Sequence, residues 1–72
     1  MRLRIRDLRE DADYTQEEVA SYLHCDQSLY SKYERNEREI PWKLLSELAN
    51  LYDTSVDYLI GRTNIKTRYP KE

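Results

Sequence analysis

Glycine and proline are nearly absent from this chain: Gly61, Pro41 and Pro70 are the only three in 72 residues. These two residue types punctuate secondary structure. Their scarcity confines the chain to helices joined by short turns. The apolar residues agree with that restriction. Ile5, Leu8 and Ala12 recur at i, i+3 and i+7, the spacing of one helical face. Val19, Ala20 and Leu23 supply the buried face of a second short helix, and Tyr30 and Tyr33 that of a third. Leu45, Leu48, Ala49 and Tyr52 form a fourth stripe, with Leu44 and Leu51 alongside, and "VDYLI" supplies a fifth. No segment shows the alternation of a half-buried strand.

The ends of these helices carry their own signals. "DADY" interrupts the first stripe, and Thr15 with Glu18 has the spacing of a capping box at the start of "TQEEVASYL". Asp26 suits the N-cap of "QSLYSKYER". "NEREI" reads as a connector, and Pro41 suits the first position of "PWKLLSELANLY". Thr54 and Asp57 repeat the capping-box spacing before the fifth helix, which Gly61 ends. The expected fold class is all-α, with five short helices in one domain over 1–64 and a short tail over 65–72. A core of this size is marginal and needs efficient helix packing or a partner subunit.

Composition excludes several classes. One cysteine allows no intramolecular disulfide, so no disulfide framework points to secretion. "MRLRIRDLRE" lacks the apolar core of a signal peptide. No apolar run approaches the ~20 residues that span a bilayer. A cytoplasmic, reducing location and no membrane association are expected. Charged residues make up 36% of the chain, with a net charge of -2. Taken as a sum, that argues against a nucleic-acid partner, whose phosphates must be neutralised. The distribution says more: four arginines fall in the first ten residues, four basic residues lie between Lys32 and Lys43, and none between Leu44 and Gly61.

Only His24, Cys25 and Asp26 separate the second stripe from the third, the length of a helix-turn-helix turn. All three residue types ligate metals, yet a metal site needs three or four suitable ligands, and the chain holds one cysteine and one histidine. Cys–His catalysis needs side chains converging on each other and on an oxyanion site. Neighbours in a turn diverge, and no third member is present. Cys25 reads better as a small apolar plug at the start of the third helix. His24 reads as a turn residue with positive φ, where histidine is enriched among non-glycine residues.

The run "TQEEVASYLHCDQSLYSKYERNEREIPWKLLSELANLYDTSVDYLIGRT" resembles the Cro/C1-type (phage-repressor-like, XRE) helix-turn-helix domain. The resemblance covers about Ile5 to Thr63. It rests on "TQEEVA" opening the second helix, "SKYERNERE" closing the third and "SVDYLIG" ending the fifth, with Ala20 at the position where the family places a small residue. His24 and Asn36 stand where glycine is usual, and Asp26 puts an anion near the path of a phosphate.

The resemblance implies a compact five-helix lambda-repressor-like domain with its helix-turn-helix at about 16–35. It implies a sequence-specific regulator of transcription, of repressor type, that places its third helix (about 26–35) in the major groove of double-stranded DNA. A homodimer on a palindromic operator follows, since one domain covers too few base pairs for strong specificity. Gln27, Ser28 and Lys32 would read base edges, glutamine suiting adenine and lysine guanine. Leu29, also expected on the outward side, admits two readings: incidental surface, or contact with a thymine methyl. Gln16, Arg35, Asn36, Arg38 and Lys43 would hold phosphates, and Arg9 with Glu34 would form a structural ion pair. The tyrosines at 30, 33, 52 and 58 read as core residues that bury the ring and keep the hydroxyl wet.

The alternative is a protein-interaction module of the same fold, such as an antitoxin that pairs with a toxin or another regulator. Net acidity and Asp26 favour it; Gln16, Gln27, Ser28 and Lys32 oppose it. An enzyme is not expected, for want of a convergent nucleophile, base or metal set, and no cofactor is implied. A first prediction concerns the turn. Cys25→Val is expected to leave DNA binding intact and stability nearly unchanged, valine being a usual residue there in the family. Metal analysis finding a stoichiometric ion that this variant loses would refute the assignment of Cys25 as a plug.

Overall fold

The computed structural model describes residues 3–66. Met1, Arg2 and the greater part of the expected tail, residues 67–72, lie outside. Among the described residues the chain forms α1 (Ile5–Asp11), α2 (Gln16–Tyr22), α3 (Gln27–Glu34), α4 (Trp42–Leu51) and α5 (Val56–Leu59), with no strand. One apolar cluster joins them. Ile5 and Leu8 of α1, Val19 and Ala20 of α2, Tyr30 and Tyr33 of α3, Leu45, Leu48 and Ala49 of α4 and Leu59 of α5 are buried together, with Leu23 and Ile40 from the turns.

All five helices end in the same way. The residue two past the last helical position has positive φ: Asp13 (61°), His24 (57°), Asn36 (60°), Asp53 (51°) and Gly61 (81°). Two backbone bonds close each end. At α2, the His24 N–H donates to the Ser21 carbonyl and the Cys25 N–H to that of Ala20. The same pair recurs at Asp13 and Tyr14, Asn36 and Glu37, Asp53 and Thr54, and Gly61 and Arg62. This is the Schellman motif, which satisfies carbonyls that a helix end leaves orphaned. Only one of the five left-handed positions holds glycine. The other four hold Asp, His and Asn, the non-glycine residues that tolerate this conformation best.

The motif accounts for where the chain departs from its sequence reading. Ala12 does not extend the apolar stripe: it is exposed as the C-cap of α1, where the chain has already begun to turn. Thr54 does not cap α5. It closes the Schellman motif of α4, fully buried, and its hydroxyl donates to the Lys66 carbonyl. Ser55 caps α5 instead, accepting from the Tyr58 N–H at 3.1 Å. Pro41 is the N-cap of α4 rather than its first residue. Its extended backbone and carbonyl, which accepts from Leu45, start the helix one position later. At α2 and α3 the caps fall at the expected residues: Thr15 and Glu18 form the reciprocal capping box, and Asp26 accepts from the Ser28 N–H at 2.9 Å.

The N-terminal and C-terminal segments are tied by Arg4. Its guanidinium donates to the carbonyls of Tyr58 (3.2 Å) and Thr63 (2.7 Å) and to Asn64 Oδ1 (2.7 Å). It also lies 4.2 Å from the centre of the Tyr58 ring, a cation–π contact.

A second arginine joins a carboxylate on which three helices meet. Arg9 of α1 grips Glu34, the last residue of α3, with two parallel bonds: Nε to Oε2 at 2.6 Å and Nη2 to Oε1 at 3.2 Å. Gln16, the first residue of α2, donates to the same Oε1 at 3.0 Å. The Glu34 side chain is 2% exposed. Burial pushes its pKa up, but the hydrogen bonds from Arg9 and Gln16, with the nearby Tyr30 hydroxyl, outweigh that and hold it below the ordinary value. The Tyr30 hydroxyl is not wet, contrary to the sequence reading, because the whole residue is buried. It closes no well-formed hydrogen bond, yet it lies close enough to Glu34 that burial and the carboxylate together hold its proton firmly. The Tyr52 phenol, also buried at its oxygen, is pushed up to about 12 by burial and by Glu34.

Two predictions follow from these features. His24→Gly is expected to stabilise the fold by roughly 0.5–1 kcal/mol, since the left-handed strain removed exceeds the added freedom of the unfolded chain. Denaturant melting showing a loss would contradict that. In a double-mutant cycle, Arg9→Met or Glu34→Gln alone should cost about 3 kcal/mol, because each strands a buried partner, and the pair should show strong coupling. The depressed pKa of Glu34 fixes the pH dependence. Its contribution is complete above the ordinary value of 4.5 and is lost as pH falls through the lower folded value. Glu34→Gln should remove that acid-sensitive part of the stability profile, and negligible coupling in the cycle would refute the pair's role.

Candidate nucleic-acid interface

The turn between α2 and α3 determines which face of α3 is free. Ala20, 2% exposed, lets the two helices approach, and Tyr30 and Tyr33 anchor the inner side of α3 in the core. The opposite side is left to solvent. Gln27, Ser28 and Lys32 are exposed there. Leu29 differs from its sequence reading: it is half-buried and packs against the core cluster rather than standing outward. The helical turn from Tyr30 to the position before it brings the Leu29 side chain to the edge of the inner face.

Gln16, Gln27 and Ser28 meet at a concavity of about 400 Å³, completed by Asp26 and Ser31. Gln16 is half-buried at the start of α2, its amide already committed in part to Glu34. The carboxylate that ties α1 to α3 thus also orients a polar side chain at the edge of this concavity. Ser31 was not singled out from the sequence. Its signal was there, since 27, 28, 31 and 32 make one stripe at helical spacing.

The basic residues are dispersed and unequal. Lys32 lies in the last turn of α3 and does not line the concavity. Arg35 is exposed but committed: it pairs with Glu37 at 2.7 Å and donates to the Ser31 hydroxyl. The opposite charges of Arg35 and Glu37 offset each other, so the pair presents little net charge. Asn36 is the exposed left-handed residue beyond α3. Arg38, in the connector, and Lys43, in the first turn of α4, are exposed and make no ion pair among the described residues. Arg9 and Glu34 lie behind this surface.

Cys25 is partly buried against the core, and burial together with Asp26 pushes its thiol pKa up. It is therefore protonated at neutral pH and a poor nucleophile. Among the described residues no group of three His, Cys, Asp or Glu side chains is placed to hold a metal ion. No helix among them is long and apolar enough to cross a membrane.

The chain is similar to known regulators over most of its length. It is 37% identical over 65 residues to the HTH-type transcriptional regulator ImmR of Bacillus subtilis, covering 90% of this chain and 51% of that protein. It is 39% identical over 61 residues to YobD of the same organism, an uncharacterized HTH-type transcriptional regulator, covering 85% of this chain and 54% of that one. With the HTH-type transcriptional regulator AnsR it shares 32% over 68 residues, 94% of this chain and 59% of AnsR. The chain thus spans a little over half the length of the curated relatives it matches. No solved structure gives a significant match. A helix-turn-helix family model matches residues 5–59, which takes in all five helices. The chain belongs to the Cro/C1-type helix-turn-helix family.

Proposed function

We propose that this chain is a sequence-specific double-stranded-DNA-binding regulator of transcription, of repressor type, acting in the cytoplasm as a homodimer on a palindromic operator. The observation that carries the reading is the free face of α3. Gln27, Ser28 and Lys32 are exposed on a helix whose inner side is locked by Tyr30, Tyr33 and the Arg9–Glu34 pair. Such a helix can enter the major groove without rearrangement, and its side chains match the hydrogen-bonding pattern of base edges. Gln16, Asn36, Arg38 and Lys43 take the phosphates on either side, and Arg35 joins them on releasing Glu37. These contacts position the domain and carry no sequence information. No reaction is assigned to the chain. The names of its relatives, transcriptional regulators, accord with the reading.

A second reading, an antitoxin-like module whose main partner is a protein, draws on Asp26 at the concavity and the neutralised Arg35. Selection of binding sites from a random duplex library, with salt titration of the selected sequence, separates the two. Recovery of a palindrome supports the operator reading and the dimer together. Within that operator, Gln27→Ala should cost ~1–3 kcal/mol in a manner that depends on the base it faces. Gln16→Ala should weaken all duplexes alike and leave the salt slope unchanged, because no cation is lost. Lys32→Ala either relaxes one base position or flattens the salt slope by roughly one unit. If Gln27→Ala weakens every duplex equally, Gln27 does not read bases; if none of the three variants matters, the protein-partner reading takes precedence.

A further inference from the structure

Asp26 caps α3 and stands as an anion near the path of a phosphate. Its geometry also leaves part of the carboxylate available. One carboxylate oxygen, Oδ2, is held at 2.9 Å by the Ser28 N–H. Asp26 is exposed and lines the concavity with Gln16, Gln27, Ser28 and Ser31, and no basic side chain lines that concavity. The second oxygen is therefore oriented by the cap, open to solvent, and free of an internal cation.

The geometry points to Asp26 as a specificity-determining residue that selects cytosine at the base pair facing the start of α3. The inference rests on the DNA-binding reading above. An unneutralised carboxylate at a duplex surface is repelled by phosphate, so it is tolerated only where a donor faces it. In the major groove, cytosine offers the N4 amine, with no acceptor in its pattern there. Guanine offers two acceptors, O6 and N7, and thymine offers O4 and a methyl group. Adenine offers an amine, but the adjacent N7 acceptor opposes the same carboxylate. Because one oxygen is already committed to Ser28, Asp26 accepts a single bond, which fits a single amine. The cap supplies the orientation in advance, and little side-chain freedom is lost on binding.

The test exploits the equal capping strength of Asp, Asn and Ser. In Asp26→Asn the side-chain oxygen keeps the Ser28 N–H, and the NH₂ turns outward as a donor. The base preference should then reverse, from cytosine to a base presenting an acceptor, guanine or thymine. Asp26→Ser retains a capping oxygen but is too short to reach the groove, so it should lose the preference without gaining another. Site selection with the full chain and each variant reads this directly. The wild-type chain is expected to favour cytosine at one position by about five- to ten-fold over thymine or guanine. Circular dichroism melting establishes that each variant is folded, and Asp26→Ser carries the test if the Asn variant is not. A consensus that both variants leave unaltered, whether or not they bind all duplexes more tightly, overturns the role of Asp26 alone. A wild-type chain that selects no consensus removes the DNA-reading function itself, and the inference with it.

Discussion

The arrangement of the first three helices depends on one buried carboxylate. Glu34 receives Arg9 from α1 and Gln16 from α2 while sitting at the end of α3. Removing a charge from water costs several kcal/mol, and only a well-aligned set of donors offsets it. The bidentate arginine and the glutamine amide form such a set. Apolar contact alone would hold these helices together, but it is non-directional and would leave their rotation loosely determined. With seven tyrosines and no phenylalanine, much of the aromatic volume here also carries a hydroxyl. A directional polar contact fixes what this thin core does not: the rotation of α3, and hence which of its side chains face outward.

The turns meet a complementary constraint. Five helices in 64 described residues leave four to seven residues per connection, so each helix must reverse direction almost at once. The Schellman motif does this, and it demands a left-handed residue each time. Glycine would adopt that conformation without strain but would loosen the unfolded chain. Using Asp, His and Asn at four of the five positions accepts some native strain in exchange for a stiffer unfolded state. It also places polar, exposed side chains at the turns, where no apolar residue would serve.

The features legible in the sequence were local ones. Helical stripes, the Thr15–Glu18 box, the Asp26 cap and the left-handed positions at His24 and Asn36 depend on spacings of a few residues, and the sequence displays them. The misassigned residues, Ala12, Pro41 and Thr54, all lie at helix ends, and at Thr54 one helix's stop signal meets the next helix's start. Thr54 has the residue type and spacing of an N-cap, yet the preceding Schellman motif claims it first. At the candidate site, outward periodicity identified Gln27, Ser28 and Lys32, but the half-burial of Leu29 depends on neighbours distant in sequence. The Arg4 clamp spans 54 to 60 residues, and the Gln16–Glu34 bond spans 18, beyond any local pattern. The Arg9–Glu34 pair was named through family resemblance rather than derived from spacing.

The pairing of charges bears on how a chain of net charge -2 would meet a polyanion. Long-range attraction scales with the cations left free to replace counterions at phosphates. Arg4 and Arg9 are occupied inside the fold, and Arg35 is tied to Glu37. Among the described residues, that leaves Lys32, Arg38 and Lys43 as the cations outside an ion pair on and beside the proposed reading surface. With so few there, this surface would contribute little non-specific affinity and a shallow salt dependence. The binding energy would then have to come from contacts made only on the correct sequence, and from the doubling of those contacts in a dimer. A weak electrostatic grip raises the ratio of specific to non-specific binding, which is the quantity a regulator needs against an excess of competing sites. On the proposed function, the acidity of the chain is thus a means of discrimination rather than an argument against DNA.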